Sequence, residues 1–125
     1  MDWSDKSVLI AEDEGTNFLL LVEFLEPTGI KIVRARNGID VLEICSRVLP
    51  DLDLILMDMK MPGMTGYEAT RKIREFDTKI PIIAQTAYAM MGDKEKILSA
   101  GCNDYVAKPI DENELIGKMQ MYLGR

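Results

Sequence analysis

The stretch Leu54-Ile55-Leu56-Met57-Asp58-Met59-Lys60-Met61-Pro62-Gly63 decides how this chain folds. Four apolar residues in a row suit a strand buried on both faces, as at the centre of a parallel sheet. The run stops at a carboxylate, and Pro62-Gly63 then signals a turn. Asp58 is therefore expected at the carboxyl end of a central strand, the edge where open α/β sheets hold their ligands. Alone, it could be a strand-ending Asp that only caps a turn. Three other strand ends argue against so plain a role.

Upstream, Val8-Leu9-Ile10-Ala11 is a short apolar run that halts at Glu12-Asp13-Glu14. Gly15-Thr16-Asn17 then opens a helix bearing Phe18, Leu21, Val22 and Leu25, which ends near Pro27-Thr28-Gly29. A second strand covers Ile30 to Val33, and Lys31 within it points to a place nearer an edge. After the loop signal Asn37-Gly38, helical spacing runs from Ile39 to Val48 through Val41, Leu42 and Cys45.

Downstream, Thr65-Gly66 starts a helix with Tyr67, Thr70, Ile73 and Phe76 on one side. Arg71, Lys72 and Glu75 lie on the other, and the basic run Arg71, Lys72, Arg74 reads as a solvated face. Ile80 to Ala84 is a fourth strand ending in Gln85-Thr86-Ala87. A helix from about Gly92 to Ala100 closes at Gly101, and Tyr105-Val106-Ala107 is a fifth strand ending at Lys108-Pro109. Met90 and Met91 read as packing at a helix end rather than as adaptable contact residues. The last helix begins around Asp111-Glu112-Asn113-Glu114 and turns Leu115, Met119, Tyr122 and Leu123 inward. Strand and helix alternate five times, which predicts a doubly wound α/β sandwich in one domain. A barrel would need about twice the length.

Composition excludes several classes. With 125 residues, 47% hydrophobic and 29% charged, the chain is an ordinary globular domain rather than a disordered one. A formal charge of −6 argues against direct binding to nucleic acid or to an anionic membrane. There is no histidine, so neither a Ser-His-Asp triad nor a His-ligated metal is available. Cys45 and Cys102 read as reduced packing residues of a cytosolic protein, with one long-range disulfide left open. The polar start Met1-Asp2-Trp3-Ser4-Asp5 is no signal peptide, and no apolar run reaches membrane-spanning length. The expected compartment is the cytoplasm, or the cytoplasmic end of a larger membrane-tethered protein.

In a parallel sheet the carboxyl ends of the strands share one edge. Glu12, Asp13, Asp58, Thr86 and Lys108 are therefore expected to converge on one crevice. Crowded carboxylates repel and rise in pKa unless a cation sits among them. Oxygen ligands without His or Cys favour a hard ion, and an open carboxylate site suits Mg²⁺ better than Ca²⁺. A metal site alone needs neither an ammonium nor a hydroxyl. A phosphoryl group uses both, accepting a charge-assisted bond from Lys108 and another bond from Thr86. With those partners a carboxylate can act as nucleophile and become an acyl phosphate.

These residues resemble a known family. Glu12-Asp13, Asp58 within Met-Asp-Met-Lys-Met-Pro, Thr86-Ala87 and Lys108-Pro109 match the response-regulator receiver domain in type, order and spacing. The resemblance covers nearly the whole chain. Met-Pro-Gly-Met-Thr-Gly-Tyr-Glu-Ala-Thr (61–70) and Ala-Gly-Cys-Asn-Asp-Tyr (100–105) are most similar to receivers of hybrid histidine kinases.

The resemblance implies a flavodoxin-like sheet in strand order 2-1-3-4-5 with five helices. It implies Asp58 as phosphoacceptor and a Mg²⁺ (or Mn²⁺) shell of Glu12, Asp13, Asp58 and the Lys60 backbone carbonyl. Lys108 would hold a phosphoryl oxygen, Thr86 would close on another, and Tyr105 would be the switch aromatic. Lys108-Pro109 is where the family has a cis peptide. Lys60 and Tyr88 stand where the family tunes the lifetime of the phosphate, and a bulky Tyr88 is expected to slow hydrolysis. The plainer readings are a solvated lysine at 108 and a half-buried core tyrosine at 105. The first acid is Glu12, where Asp is commoner in the family, and Glu14 adds charge beside the pocket.

The implied donor is a histidine kinase or a histidine phosphotransfer domain. The implied output is a downstream protein or domain meeting the fourth helix, fifth strand and fifth helix. Such a chain loads and unloads phosphate at Asp58 rather than acting as a stand-alone enzyme. Its end at Leu123-Gly124-Arg125, with the hybrid-like motifs, points to a receiver taken from a larger hybrid kinase. A phosphatase of haloacid-dehalogenase type also uses Asp and Mg²⁺, but needs an acid-base Asp where Lys60 stands. A flavin mononucleotide binder of the same fold needs a small-residue phosphate loop where Glu12-Asp13-Glu14 stands. No dinucleotide or Walker phosphate-loop motif is present. An interaction-only pseudo-receiver would lack the acids, Thr or Lys, and all are present here.

Overall fold

Leu54–Asp58 is a fully buried strand, β3, and the rest of the chain wraps it from both sides. A computed structural model describes residues 1–87 and 91–124. In chain order the elements are β1 (Ser7–Ala11), α1 (Gly15–Leu25), β2 (Lys31–Ala35), α2 (Gly38–Val48), β3, α3 (Gly66–Arg74), β4 (Ile82–Thr86), α4 (Met91–Ala100), β5 (Asp104–Ala107) and α5 (Glu112–Leu123). Single turns of 3₁₀ helix, Glu26–Thr28 and Leu49–Asp51, follow α1 and α2. The strands form one parallel sheet in the order β2-β1-β3-β4-β5. This is the expected doubly wound sheet, with the Lys31 strand at its edge.

Alternation along the strands divides the core in two. Val8, Ile10, Leu54, Leu56, Ile83 and Val106 pack with Leu21 and Leu25 of α1 and Leu115, Met119 and Leu123 of α5. Leu9, Ala11, Ile55, Met57, Ile82 and Ala84 pack against Val41 and Cys45 of α2, Ala69 and Ile73 of α3, and Ile97 of α4. At about 25 cal/mol per Å² of apolar surface, these layers are the main source of stability. The helices are positioned locally as well. Asn37 and Asp111 accept from the backbone N–H groups of Asp40 and Glu114, and Thr65 with Glu68 forms a reciprocal capping box.

Three expectations need correction. The start of the chain is not simply polar, because Trp3 is fully buried and its N–H donates to Thr28 O at 2.7 Å. Phe76 is 58% exposed rather than on the inner stripe, since α3 ends at Arg74 and the following turn rotates it outward. Arg74 is no solvated charge. Its guanidinium donates to Gly101 O and to Asn103 Oδ1, both at 2.9 Å, tying α3 to the connection between α4 and β5. Helix α4, Met91–Ala100, falls where the spacing places it, while Tyr88, Met90 and the Met91 side chain lie outside the described residues. Cys45 and Cys102 are free and buried, and burial pushes both thiols up to about 11.

Gly66 fixes the approach of α3 to the end of β3. A Cβ there would lie 2.2 Å from the carbonyl oxygen of Asp58 and 2.8 Å from the Cα of Met59. Backbone cannot yield as a side-chain tip can. Gly66→Ala is therefore expected to destabilise the protein by about 1–3 kcal/mol by overpacking, read from the urea midpoint. An unchanged midpoint would contradict this close approach.

Candidate functional site

The carboxyl ends of β1, β3 and β5 deliver their polar residues to one place. Glu12 and Asp58 follow Ile10 and Leu56 by two positions, and Lys108 follows Val106 by two. All three continue the strand face that packs on α1 and α5. Lys108 Nζ stands 3.3 Å from Asp58 Oδ2 and 3.4 Å from Glu12 Oε1. The Lys60 N–H donates to Asp58 Oδ1 at 3.0 Å. Asp13, exposed at the rim, completes a cluster in which oxygens of Glu12, Asp13 and Asp58 lie within 4.8 Å of one another.

The electrostatics follow from burial. Glu12 is inaccessible, and desolvation first, then its contact with the Asp58 carboxylate, pushes its pKa up to about 8. The Asn17 amide and Lys108 pull the other way without offsetting this. Glu12 Oε2 has no hydrogen-bond partner among the described residues. A buried carboxyl oxygen that accepts no hydrogen bond, beside two more carboxyl groups, becomes a hard-cation ligand once its proton is displaced. The donor set thus fits Mg²⁺.

Thr86 ends β4 and lies on the opposite strand face from Glu12, Asp58 and Lys108. It lines a cleft of about 150 Å³ with Met59, Lys60, Tyr67, Gln85, Ala87 and Asp93. The backbone nevertheless couples it to the lysine, because Lys108 N–H donates to Thr86 O at 2.7 Å. Lys108-Pro109 is cis. Tyr105 is half-buried on β5, with Lys118 Nζ 4.7 Å and Lys94 Nζ 5.4 Å from its ring centroid. Tyr88 lies outside the described residues.

Three contributors escaped the reading of the sequence. Asn17, taken only as part of a helix opening, donates to Glu12 Oε1 and, at 3.3 Å, to Gln85 Oε1. Gln85 is fully buried in β4 after Ile82, Ile83 and Ala84, and its polarity in that buried run is the signal that the sequence carries. Arg34 holds the Glu12 carbonyl from Nε and Nη2 at 3.3 and 3.2 Å while stacking on Phe18.

Comparison with known proteins is decisive. The family model of the response regulator receiver domain matches residues 8–120. The chain is a response regulator receiver domain. This receiver is 40% identical over 121 residues to the polar-differentiation response regulator DivK of Brucella anthropi, covering 95% of this chain and 97% of that one. It is also similar to the receiver domain of sensor histidine kinase PA1611 from Pseudomonas aeruginosa, solved with a magnesium ion in its active-site cleft. That likeness has a TM-score of 0.87 at 37% identity, covering 96% of this chain and 98% of the other. The receiver of Ssk1 from Saccharomyces cerevisiae, solved with the histidine phosphotransfer protein Ypd1, gives a TM-score of 0.87 at 33% identity over 94% of this chain and 88% of that one. As a receiver, the domain is a phosphoacceptor in phosphorelay signalling, and a haloacid-dehalogenase-type phosphohydrolase is not favoured. No helix among the described residues is long and apolar enough to cross a membrane.

The raised Glu12 pKa carries a stability consequence. Below the ordinary value of 4.5 both folded and unfolded chains keep this proton, whereas between 4.5 and about 8 only the folded chain does. The folded state then binds more protons, so this group's contribution falls as pH rises through that window. Glu12→Gln should stabilise the metal-free protein at neutral pH by about 1–3 kcal/mol, a gain that shrinks on acidification. Urea unfolding in EDTA at several pH values checks this, and parallel pH profiles for parent and variant would contradict it.

Proposed function

We propose that Asp58 is the phosphoacceptor and that Glu12, Asp13, Asp58 and the Lys60 backbone carbonyl hold Mg²⁺. The observation that carries this reading is Lys108 Nζ 3.3 Å from Asp58 Oδ2, beside the cluster of three carboxylates. The phosphodonor is a phosphohistidine on a histidine kinase or phosphotransfer protein. The Asp58 carboxylate attacks phosphorus, the P–O bond forms as the P–N bond breaks, and the imidazole departs with the bonding pair and takes up a proton. Bound Mg²⁺ supplies positive charge that lets an anionic nucleophile meet an anionic phosphoryl group.

The chain's own residues do the rest. The Lys60 N–H orients the Asp58 carboxylate, and Lys108 shifts from pairing with carboxylates to binding a phosphoryl oxygen. Thr86 supplies a hydroxyl to another oxygen. Its movement across the adjoining cleft would be transmitted to Tyr105, whose neighbours Lys94 and Lys118 belong to α4 and α5. The readout surface is then α4, β5 and α5, where a local charge change biases a two-state face. The exposed Lys60 side chain borders the cleft, and Lys60 and Tyr88, two positions beyond Asp58 and Thr86 in the sequence, would act as regulators of phosphate lifetime.

Intact mass after incubation with a small acyl phosphate and Mg²⁺ tests the reading. One phosphoryl group is expected on the parent, none on Asp58→Asn, and none in EDTA. Lys108→Ala should load at least about tenfold more slowly, the loss of one charge-assisted contact to the transferring group. Loading of Asp58→Asn at the parental rate would overturn the assignment.

A further inference from the structure

Gln85 and Asp58 are register partners on adjacent strands, and Gln85 also pairs with Val106, two residues before Lys108. By strand alternation its side chain shares the face of Ile83, the face that carries Glu12, Asp58 and Lys108. It is fully buried, yet its Nε2 has no hydrogen-bond partner among the described residues. Leu or Met would fill this place in the core without leaving a buried donor unmet.

What Gln85 does have is Asn17. The Asn17 Nδ2 donates both to Glu12 Oε1 and to Gln85 Oε1. Against Glu12 in the ionised form that ligates a cation, this fixes the orientation of both amides. Turning Asn17 over would set its oxygen against the Glu12 carboxylate, and turning Gln85 over would set one NH₂ against another. Glu12 Oε1 is thereby engaged while Glu12 Oε2 is left with no partner among the described residues.

We propose that Gln85 is a positioning residue for the metal-binding carboxylate of Glu12, acting through the side-chain amide of Asn17. The inference rests on the metal-site assignment made above. Loss of a partner that orients a metal ligand commonly costs about 10- to 100-fold in affinity. Here the orienting group is itself oriented, from a strand distant in sequence. The unmet donor is the cost of presenting Oε1 to Asn17.

The test is direct titration with Mn²⁺, followed by the electron paramagnetic resonance of the free ion, on the full chain. Asn17→Ala should weaken binding about tenfold and Gln85→Leu about three- to tenfold, while the double variant is no weaker than Asn17→Ala. A merely structural role for Gln85 would not make its effect vanish in the Asn17→Ala background. Circular dichroism confirms folding, and Gln85→Met, which keeps an unbranched chain, replaces Gln85→Leu if that variant does not fold. Binding by Gln85→Leu within about twofold of the parent, or effects that multiply in the double variant, would overturn this inference alone. No Mn²⁺ binding by the parent would overturn the metal-site assignment and this inference with it.

Discussion

Carboxylates crowded at the ends of adjacent parallel strands are the constraint on which the rest of this structure depends. Glu12, Asp13 and Asp58 have oxygens within 4.8 Å of one another, and two of the three residues are buried. Like charges so placed are unfavourable without compensation. The structure offers three kinds: Lys108 between Glu12 and Asp58, a Glu12 that holds its proton up to about pH 8, and an oxygen donor set suited to a divalent cation. A phosphoryl group entering this site adds further negative charge. On the proposed reading it recruits the same lysine and the same cation. Phosphorylation of a site strained in this way would then redistribute the charges on which its packing rests.

The fold is the means of holding that strain. Three of the four polar strand ends descend from one alternation pattern, the face that packs Val8, Ile10, Leu54, Leu56 and Val106 against α1 and α5. Thr86 departs from it and faces the layer of α3 and α4. The Asp58 carboxylate and the Thr86 hydroxyl thus belong to different faces of one sheet. A shift of Thr86 towards Asp58 would be felt on the α4 side, where Tyr105 sits between two lysines. The backbone bond from Lys108 to Thr86 keeps both ends of this arrangement in one ladder.

Much of this was legible in the sequence because it depends on local rules. Apolar runs ended by acids located β1 and β3, turn and capping residues located the helices, and parallel topology forced the strand ends together. What escaped depends on pairs distant in the chain. Asn17 and Gln85 are separated by 68 positions, and nothing local to either says that they meet. Arg74 reads as a surface cation until Gly101 O and Asn103 Oδ1 are brought to it. Phe76 follows helical spacing, but the helix stops two residues short of it. Trp3 sits in a polar stretch and is buried only because the chain start closes over one end of the core.

The central claim is that the crowded strand ends make Asp58, and no other carboxylate, the nucleophile. Reductive trapping tests this most directly. Borohydride converts an aspartyl phosphate to homoserine, and peptide mapping then locates the altered residue. After loading with a phosphodonor and Mg²⁺, homoserine is expected at position 58 alone. Conversion at Asp13, or a phosphorylated protein in which Asp58 survives unaltered, would contradict it.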